Sequence, residues 1–187
     1  GDGADTIVIY GKEHLVNSGE GNDTIEVTGK SFSISAGTGD DTIAINGSGK
    51  INGDEGNDTI DVTGEGNKVY GGEGDDIIKF TSAKNFINGG GGNDTLQVNL
   101  SQGNVTVDGG ENTDTVQLNF KRSDYSIIVG NSDLTFYKIS DHSEKLKITS
   151  TDVEQFKFSD NEILSLEEIR NLKGLDYQLQ ESSEKTT

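Results

Sequence analysis

An aspartate recurs at a nearly constant interval through the first two thirds of the chain. The copies are separated by 18, 18, 17, 18, 18 and 20 residues, and they are Asp5, Asp23, Asp41, Asp58, Asp76, Asp94 and Asp114. Most of them end a Gly-x-Gly-x-Asp turn and precede a threonine and an aliphatic residue, as in Gly37-Thr38-Gly39-Asp40-Asp41-Thr42-Ile43. A fixed period of this length indicates a solenoid in which equivalent residues of successive coils stack. The stacked carboxylates therefore predict a bound cation.

The chemistry of these turns selects among the common cations. Stacked coils would place neighbouring carboxylates ~4.8 Å apart, where each pair repels by roughly 1 kcal/mol in a water-like dielectric. Carboxylate and carbonyl oxygens in a flexible loop suit Ca²⁺, whereas Mg²⁺ requires tighter octahedral geometry. The turns hold no histidine and the chain has no cysteine, which disfavours zinc. Calcium is therefore the cofactor that the pattern predicts.

Alternating residues after each aspartate predict the strands that position the turns. Ile25 and Val27, like Ile43 and Ile45, follow the period of two that is typical of a strand with one buried face. A second, weaker turn follows and leads to another aliphatic residue, in the series Val16, Ile34, Ile51, Val69, Ile87 and Val105. One coil therefore has two strands and two turns, and the coils stack as two facing parallel sheets.

The second turns lack the aspartate, and their equivalent positions are His14, Phe32, Lys50, Asn67, Asn85 and Gly103. We predict calcium along one edge and none along the other.

Composition limits the classes of partner. The formal net charge is −18, and residues 1–118 hold 20 acidic and 6 basic side chains. This charge disfavours nucleic acids and anionic membrane surfaces as partners. Only 29% of residues are hydrophobic, so a repeat region without cations also has the composition of a disordered chain. No apolar run approaches the ~20 residues that span a bilayer.

Two stretches carry a resemblance to a known family. Gly71-Gly72-Glu73-Gly74-Asp75-Asp76-Ile77-Ile78-Lys79 and Gly89-Gly90-Gly91-Gly92-Asn93-Asp94-Thr95-Leu96-Gln97 resemble the nonapeptide GGxGxDxUx of the RTX (repeats-in-toxin) family. The resemblance covers residues 1–118 and implies a right-handed parallel β-roll that binds Ca²⁺ between coils, in proteins exported by type I secretion. The chain departs from the family in its Asp-less alternate turns and in Asn112, which replaces a glycine of the last turn.

The resemblance also implies where the ions lie. Each ion lies between one Asp turn and the next along the same edge, so the seven turns frame up to about six sites in one row. The candidate metal-site residues are Asp5, Gly19, Gly21, Asp23, Gly37, Gly39, Asp41, Asp54, Gly56, Asp58, Gly72, Gly74, Asp76, Gly90, Gly92, Asp94, Gly110 and Asp114.

Residues 119–187 predict a small β-rich cap. Four segments have strand character, and Ser165-Leu166-Glu167-Glu168 is a capping box that predicts a short helix from Leu166 to Lys173, ended near Gly174. The run Val153-Glu154-Gln155-Phe156-Lys157-Phe158-Ser159-Asp160-Asn161 resembles the xVExxxFxDG stretch that follows RTX repeats, with Asn161 in place of Gly. The last coil needs a cover for its open apolar end. By resemblance, the tail from Gln180 to Thr187 contains a type I secretion signal.

Three classes of function compete. The first is a calcium-binding structural module of a larger secreted protein, an adhesin or toxin, that folds outside the cell; its partners are calcium and the type I secretion machinery, and we expect a monomer. The second is a recognition module for a glycan, ice or a host surface, and its candidate residues form a basic stripe near the Asp-less turns: Lys12, Lys30, Lys50, Lys68 and Lys84. The third is an enzyme, which we do not expect, because His14 and His142 have no residues beside them that complete a catalytic arrangement.

Overall fold

The computed structural model of the protein describes residues 1–140 and 143–172. Two stacks of short parallel strands make up the repeat region. Strands that follow the Asp turns form the first stack: β1 (Thr6–Lys12), the first halves of β3 (Thr24–Thr38) and β4 (Thr42–Glu55), β5 (Thr59–Thr63), β7 (Ile77–Phe80), β9 (Thr95–Val98) and β11 (Thr115–Leu118). Strands that precede them form the second: β2 (Leu15–Glu20), the second halves of β3 and β4, β6 (Lys68–Glu73), β8 (Phe86–Gly91) and β10 (Gly103–Glu111).

Aliphatic side chains fill the space between the two stacks. The first ladder runs through paired residues that are all 0% exposed: Ile25, Ile43, Ile60, Ile78, Leu96 and Val116. Burying each such side chain stabilises the fold by roughly 1.5–3 kcal/mol. The protein is thus a parallel β-solenoid of about six coils, which confirms the predicted period and the strand that follows each aspartate.

Three positions predicted for the second turn and the strand after it are wrong, namely Lys50, Gly103 and Val105, and the errors come from unequal coil lengths. Gly49, and not Lys50, is the equivalent of Asn67, because Lys50 pairs with Lys68; the register shifts at Ser31, whose φ is +58°. Ile87 pairs with Val107, and not with Val105. The two extra residues of the last coil lie between β9 and β10, so Val105 aligns with Asn85, where Gly103 was predicted.

Two strands of the cap extend the parallel stacks of the solenoid, and the other three strands pair antiparallel. Strand β14 (Lys145–Thr151) pairs in parallel with β10, and β15 (Gln155–Lys157) pairs in parallel with β11. An antiparallel hairpin of β12 (Tyr125–Val129) and β13 (Asp133–Lys138) extends the sheet beyond β14, and β16 (Ile163–Ser165) pairs antiparallel with β15. These strands cover the end of the last coil, as the sequence predicts.

The apolar centre of the cap is aromatic. The rings of Phe120, Phe136 and Phe158 lie within 6.4 Å of one another, and Phe136 and Phe158 are 0% and 1% exposed. A helix follows β16 over residues 166–172. It begins with the predicted capping box, in which the Ser165 hydroxyl accepts the Glu168 N–H at 3.1 Å and the Glu168 carboxylate accepts the Ser165 N–H at 2.8 Å. His142, the predicted helix end at Lys173 and Gly174, and the predicted secretion signal lie outside the described residues.

Candidate calcium sites along one edge

The repeated aspartates form a buried column. Six of the seven are at most 2% exposed, namely Asp23, Asp41, Asp58, Asp76, Asp94 and Asp114, whereas Asp5 in the first coil is partly exposed. The Oδ1 atom of each of these six accepts the backbone N–H of the aspartate one coil earlier, at 2.6–2.8 Å. This ladder fixes the orientation of every carboxylate in the column, so that the second oxygen of each always points the same way.

The second oxygens have no partner. The Oδ2 atoms of the six buried aspartates lie inside the protein without any hydrogen bond among the described residues. An unpaired buried carboxylate oxygen is costly, and buried charges normally pair with a cation or coordinate a metal. Six such atoms in one row are therefore direct evidence of a place for cations.

Glycines open the space that these oxygens face. A methyl carbon built on Gly71 would lie 2.1 Å from Oδ2 of Asp76 and 2.4 Å from the carbonyl oxygen of Gly89 in the next coil. The same construction on Gly53 and on Gly89 gives distances of 2.0–2.1 Å and 2.4 Å to the equivalent atoms. We call each such space a cradle, and it lies between two consecutive Asp turns, as the RTX resemblance implies. Carboxylate and carbonyl oxygens are the ligands that Ca²⁺ takes in proteins, so the donor set of the cradle fits this ion.

Side chains occupy the equivalent space in two earlier coils. Ser18 and Ala36 stand where Gly53, Gly71 and Gly89 stand in later coils, and both are 0% exposed. The Ser18 hydroxyl donates a hydrogen bond to the Ala36 carbonyl at 2.6 Å. This bond occupies the carbonyl oxygen whose equivalent in the later coils faces the open cradle. The cradles are thus open in the later coils and partly filled in these two.

The predicted turn glycines serve the stacking of the coils. Gly72 has a φ of +132°, and a methyl carbon on it would lie 1.9 Å from the Asp54 carbonyl oxygen of the coil before. The other predicted turn glycines also have positive φ: Gly19, Gly21, Gly37, Gly39, Gly56, Gly74, Gly90, Gly92 and Gly110.

Asp54 stands at a glycine position and has a φ of +76°. Its carboxylate accepts hydrogen bonds from the Ser35 hydroxyl and the Asn52 amide. Its side chain thus bonds outside the cradle, and the prediction that Asp54 contributes to a metal site stays untested.

Burial changes the acidity of the column. It raises the pKa of Asp76 to about 7, and repulsion from the carboxylates of Asp58 and Asp94 adds to this, while the hydrogen bond from the Asp58 N–H opposes it. Burial likewise raises the pKa of Asp58, Asp94 and Asp114 to about 6 and the pKa of Asp41 above its usual range. Without a cation, the buried carboxyl groups of the folded column therefore ionise at a higher pH than exposed aspartates do.

A further row of hydrogen bonds, from backbone N–H groups to side-chain oxygens, lies on the outside of the same turns, and the sequence did not predict it. Asn22, Asp40, Asn57, Asp75 and Asn93 each accept the backbone N–H of the equivalent residue in the next coil through Oδ1, at 2.7–3.3 Å. Asp40 and Asp75 are exposed, and through these bonds both hold the turns together. Amides and carboxylates alternate along this ladder, so no two charges are adjacent. That alternation, spaced by one coil, is the signal that would have revealed it.

On the opposite edge, the amide groups of two buried asparagines make the hydrogen bonds that hold neighbouring turns together. Asn67 and Asn85 are 1% and 2% exposed, and the Asn85 Oδ1 accepts the Asn67 N–H at 2.9 Å, as in the aspartate column. Their Nδ2 groups donate to the Gly64 carbonyl oxygen at 3.1 and 2.9 Å. At these two positions an amide N–H therefore satisfies the Gly64 carbonyl group, and the absence of a second ion row stays a prediction.

A cation at the aspartate edge would need ligands besides the carboxylates of the column. Among the described residues, no three His, Cys, Asp or Glu side chains converge on one point. His14 is partly exposed, and its Nε2 atom lies 3.2 Å from the Tyr10 carbonyl oxygen. In the same part of the chain, no helix has the length and apolar character needed to cross a membrane.

The fold and the column together define a parallel β-solenoid with a row of cation cradles along one edge. The family model described as RTX calcium-binding nonapeptide repeat (4 copies) matches residues 52–80 and 81–100. Residues 52–100 are thus similar to RTX calcium-binding repeats, which confirms the resemblance of the two nonapeptides found in the sequence. The matched stretches contain the turns at Gly53, Gly71 and Gly89, each of which begins with an open cradle. A comparison with curated proteins found no match.

Proposed function

We propose that this chain is a calcium-binding structural module of a secreted bacterial protein and that it folds when it meets calcium outside the cell. The observation that supports the proposal best is the repeated cradle, in which an unpaired carboxylate oxygen and a carbonyl oxygen face the same space. When bound there, calcium supplies positive charge and oxygen coordination. Asp58, Asp76 and Asp94 hold the ion, and the N–H ladder keeps their carboxylates in place.

The charge of the repeats supports folding coupled to ion binding. With 20 acidic and 6 basic side chains in residues 1–118, the chain is self-repelling and suited to stay unfolded where calcium is scarce. Extracellular calcium modules bind in the range of roughly 10⁻⁴–10⁻³ M, and metal binding then contributes directly to folding. An unfolded chain in the cytoplasm suits export by a type I secretion machinery, and the fold forms outside as part of an adhesin or toxin.

The cradles differ in how readily they take an ion. We expect calcium first in those that begin at Gly53, Gly71 and Gly89, because nothing in the chain occupies them. The cradles at Ser18 and Ala36 contain a hydroxyl or methyl group and bind more weakly. The sequence-based number of about six ions between repeat turns thus includes these weaker sites.

Calorimetric titration tests the proposal. At neutral pH we expect Ca²⁺ to bind at several sites per chain and Mg²⁺ to bind at least tenfold more weakly, because flexible carbonyl and carboxylate ligands suit the larger ion (~1.4 kcal/mol for each factor of ten). Titration of the chelator-treated chain with each metal alone provides the comparison. Equal affinity for the two metals, or no heat of binding with calcium, would contradict the proposal.

The basic stripe is the feature that favours a recognition module as a second candidate. Lys12 pairs with Lys30 across neighbouring strands, and Lys50 pairs with Lys68. Two of these lysines already contact neighbouring side chains. Lys84 forms an ion pair with Glu65 at 2.8 Å, and the Lys50 ammonium lies 5.3 Å from the ring centre of Tyr70. Binding of a glycan or host surface by this stripe stays a prediction, as do the absence of catalysis and the monomeric state.

A further inference from the structure

The last Asp turn meets the cap in the same way that earlier Asp turns meet the next coil. Thr115 pairs with Gln155, so Glu154 occupies the place in the column that follows Asp114. Asp108 pairs with Thr151, so Asp152 lies beside Gly109. The three residues 152–154 thus replace a whole six-residue turn such as 109–114. The cap therefore forms a shortened final turn on this edge. Glu154 holds the place of the aspartate, and the Gly-x-Gly-x-Asp sequence is missing.

Glu154 continues the hydrogen-bond ladder of the column. Its Oε2 atom accepts the Asp114 N–H at 2.7 Å, and this bond joins residues 40 positions apart in the chain. In every earlier coil, the Oδ1 atom of an aspartate makes this contact. The longer side chain of Glu154 reaches the same N–H from the shorter cap turn. Glu154 is therefore a positioning residue for Asp114.

The space between this turn and the cap has the lining of a cradle. Asp114 is 0% exposed and its Oδ2 atom has no hydrogen-bond partner. A methyl carbon built on Gly109 would lie 2.6 Å from that Oδ2 atom and 1.7 Å from the carbonyl oxygen of Asp152. The Asp152 carbonyl thus takes the place that the Gly89 carbonyl has in the cradle at Gly71. A buried, unpaired carboxylate oxygen and a carbonyl oxygen again face one space beside a glycine.

We propose that the cap completes one more divalent-cation site, at the junction of the roll and the cap, which binds calcium through the Asp114 carboxylate and the Asp152 carbonyl. This terminal site is additional to those framed by pairs of repeat turns, and the inference rests on the proposed function of the repeats. An ion here joins segments that are about 40 residues apart in sequence, so calcium fixes the cap to the last coil. The cap therefore responds to the same ion as the repeats.

Two variants of the full chain test the terminal site by different means. Asp114→Asn keeps the oxygen that accepts the Asp94 N–H and removes the negative charge. Gly109→Ala fills the cradle with a methyl group, and Ala36 already occupies the equivalent place in another coil. Asp108→Asn is the matched control, because Asp108 lies at the same junction but directs its carboxylate to Thr151 and Asn88.

Native mass spectrometry counts the bound ions at a calcium concentration that fills the open cradles but not the weaker ones. We expect Asp114→Asn and Gly109→Ala each to bind one ion fewer per chain than the wild type, and Asp108→Asn to bind the same number as the wild type. Hydrogen exchange over residues 145–158 is expected to become faster in the first two variants only. A full ion count in either of these variants would overturn the terminal site while leaving the repeat sites intact. A wild type that binds no calcium would overturn the proposed function as well.

Discussion

In the presence of a chelator, the repeats are expected to keep their β-structure at about pH 4.5 and to lose it by about pH 8. Burial in the column raises the pKa of Asp58, Asp94 and Asp114 to about 6 and that of Asp76 to about 7, from an unfolded value of 3.8. A carboxyl whose pKa is higher in the folded state contributes its full stability below the unfolded pKa. That contribution is lost as the pH rises through the folded pKa, between about 4 and about 7. Circular dichroism of the chelated chain over this range measures the loss.

Calcium is expected to reverse this pH dependence. A bound cation favours the ionised carboxylates, so protons compete with calcium and the ion-bound fold weakens as the pH falls. The same pH series with saturating calcium is the control. A chelated chain whose β-structure is constant or increases from acidic to neutral pH would contradict the account, because the column would then carry its charge without cost.

Substitution of Asp76 by Asn is expected to change stability in opposite directions with and without calcium. The amide oxygen keeps the hydrogen bond from the Asp58 N–H, now 2.7 Å long, while the costly buried charge disappears. Asn67 and Asn85 already perform this role on the other edge. In chelator, the pH at which the fold is lost should therefore rise, because the folded state no longer loses a proton at this position. At neutral pH, the calcium concentration at the folding midpoint should rise several-fold; a tenfold rise corresponds to a loss of ~1.4 kcal/mol for each ion that binds during folding.

Asp75→Asn is the matched control for this variant. Asp75 is the neighbouring residue, is exposed, and accepts the Asn93 N–H at 2.7 Å. The amide oxygen of an asparagine can also accept this bond, so we expect both midpoints to stay close to those of the wild type. If Asp75→Asn and Asp76→Asn moved both midpoints by the same amount, the column would act only through total charge, and the proposed role of the cradles would be wrong.

The sequence predicted the solenoid and its aspartate edge because each coil repeats the same local signals. Alternation such as Ile43 and Ile45 after Asp41 marks a half-buried strand wherever it occurs, and seven copies in phase leave one way to stack them. The capping box at Ser165 and Glu168 is equally local, and the structure contains it. Features that depend on adjacent residues were therefore accessible from the sequence.

Features that depend on contacts between coils were not accessible in this way. Whether Ser18 fills a cradle depends on the Ala36 carbonyl, which lies 18 residues away in the chain. Val107 replaces Val105 in the ladder because two extra residues enter one loop, and a constant period hides this shift. Glu154 belongs to the aspartate column although it lies in the cap, since the shortened turn has no glycine signature. In each case the position is set by strand pairing, which a local pattern does not specify.

The most direct test of the account is a calcium titration of the chelated chain at neutral pH, followed by far-ultraviolet circular dichroism. The account predicts a weak β-sheet signal in chelator and a cooperative increase as calcium reaches roughly the 10⁻⁴–10⁻³ M range, with little response to magnesium at the same concentrations. A full β-sheet signal in chelator that calcium leaves unchanged would contradict the claim that the carboxylate column makes folding depend on calcium.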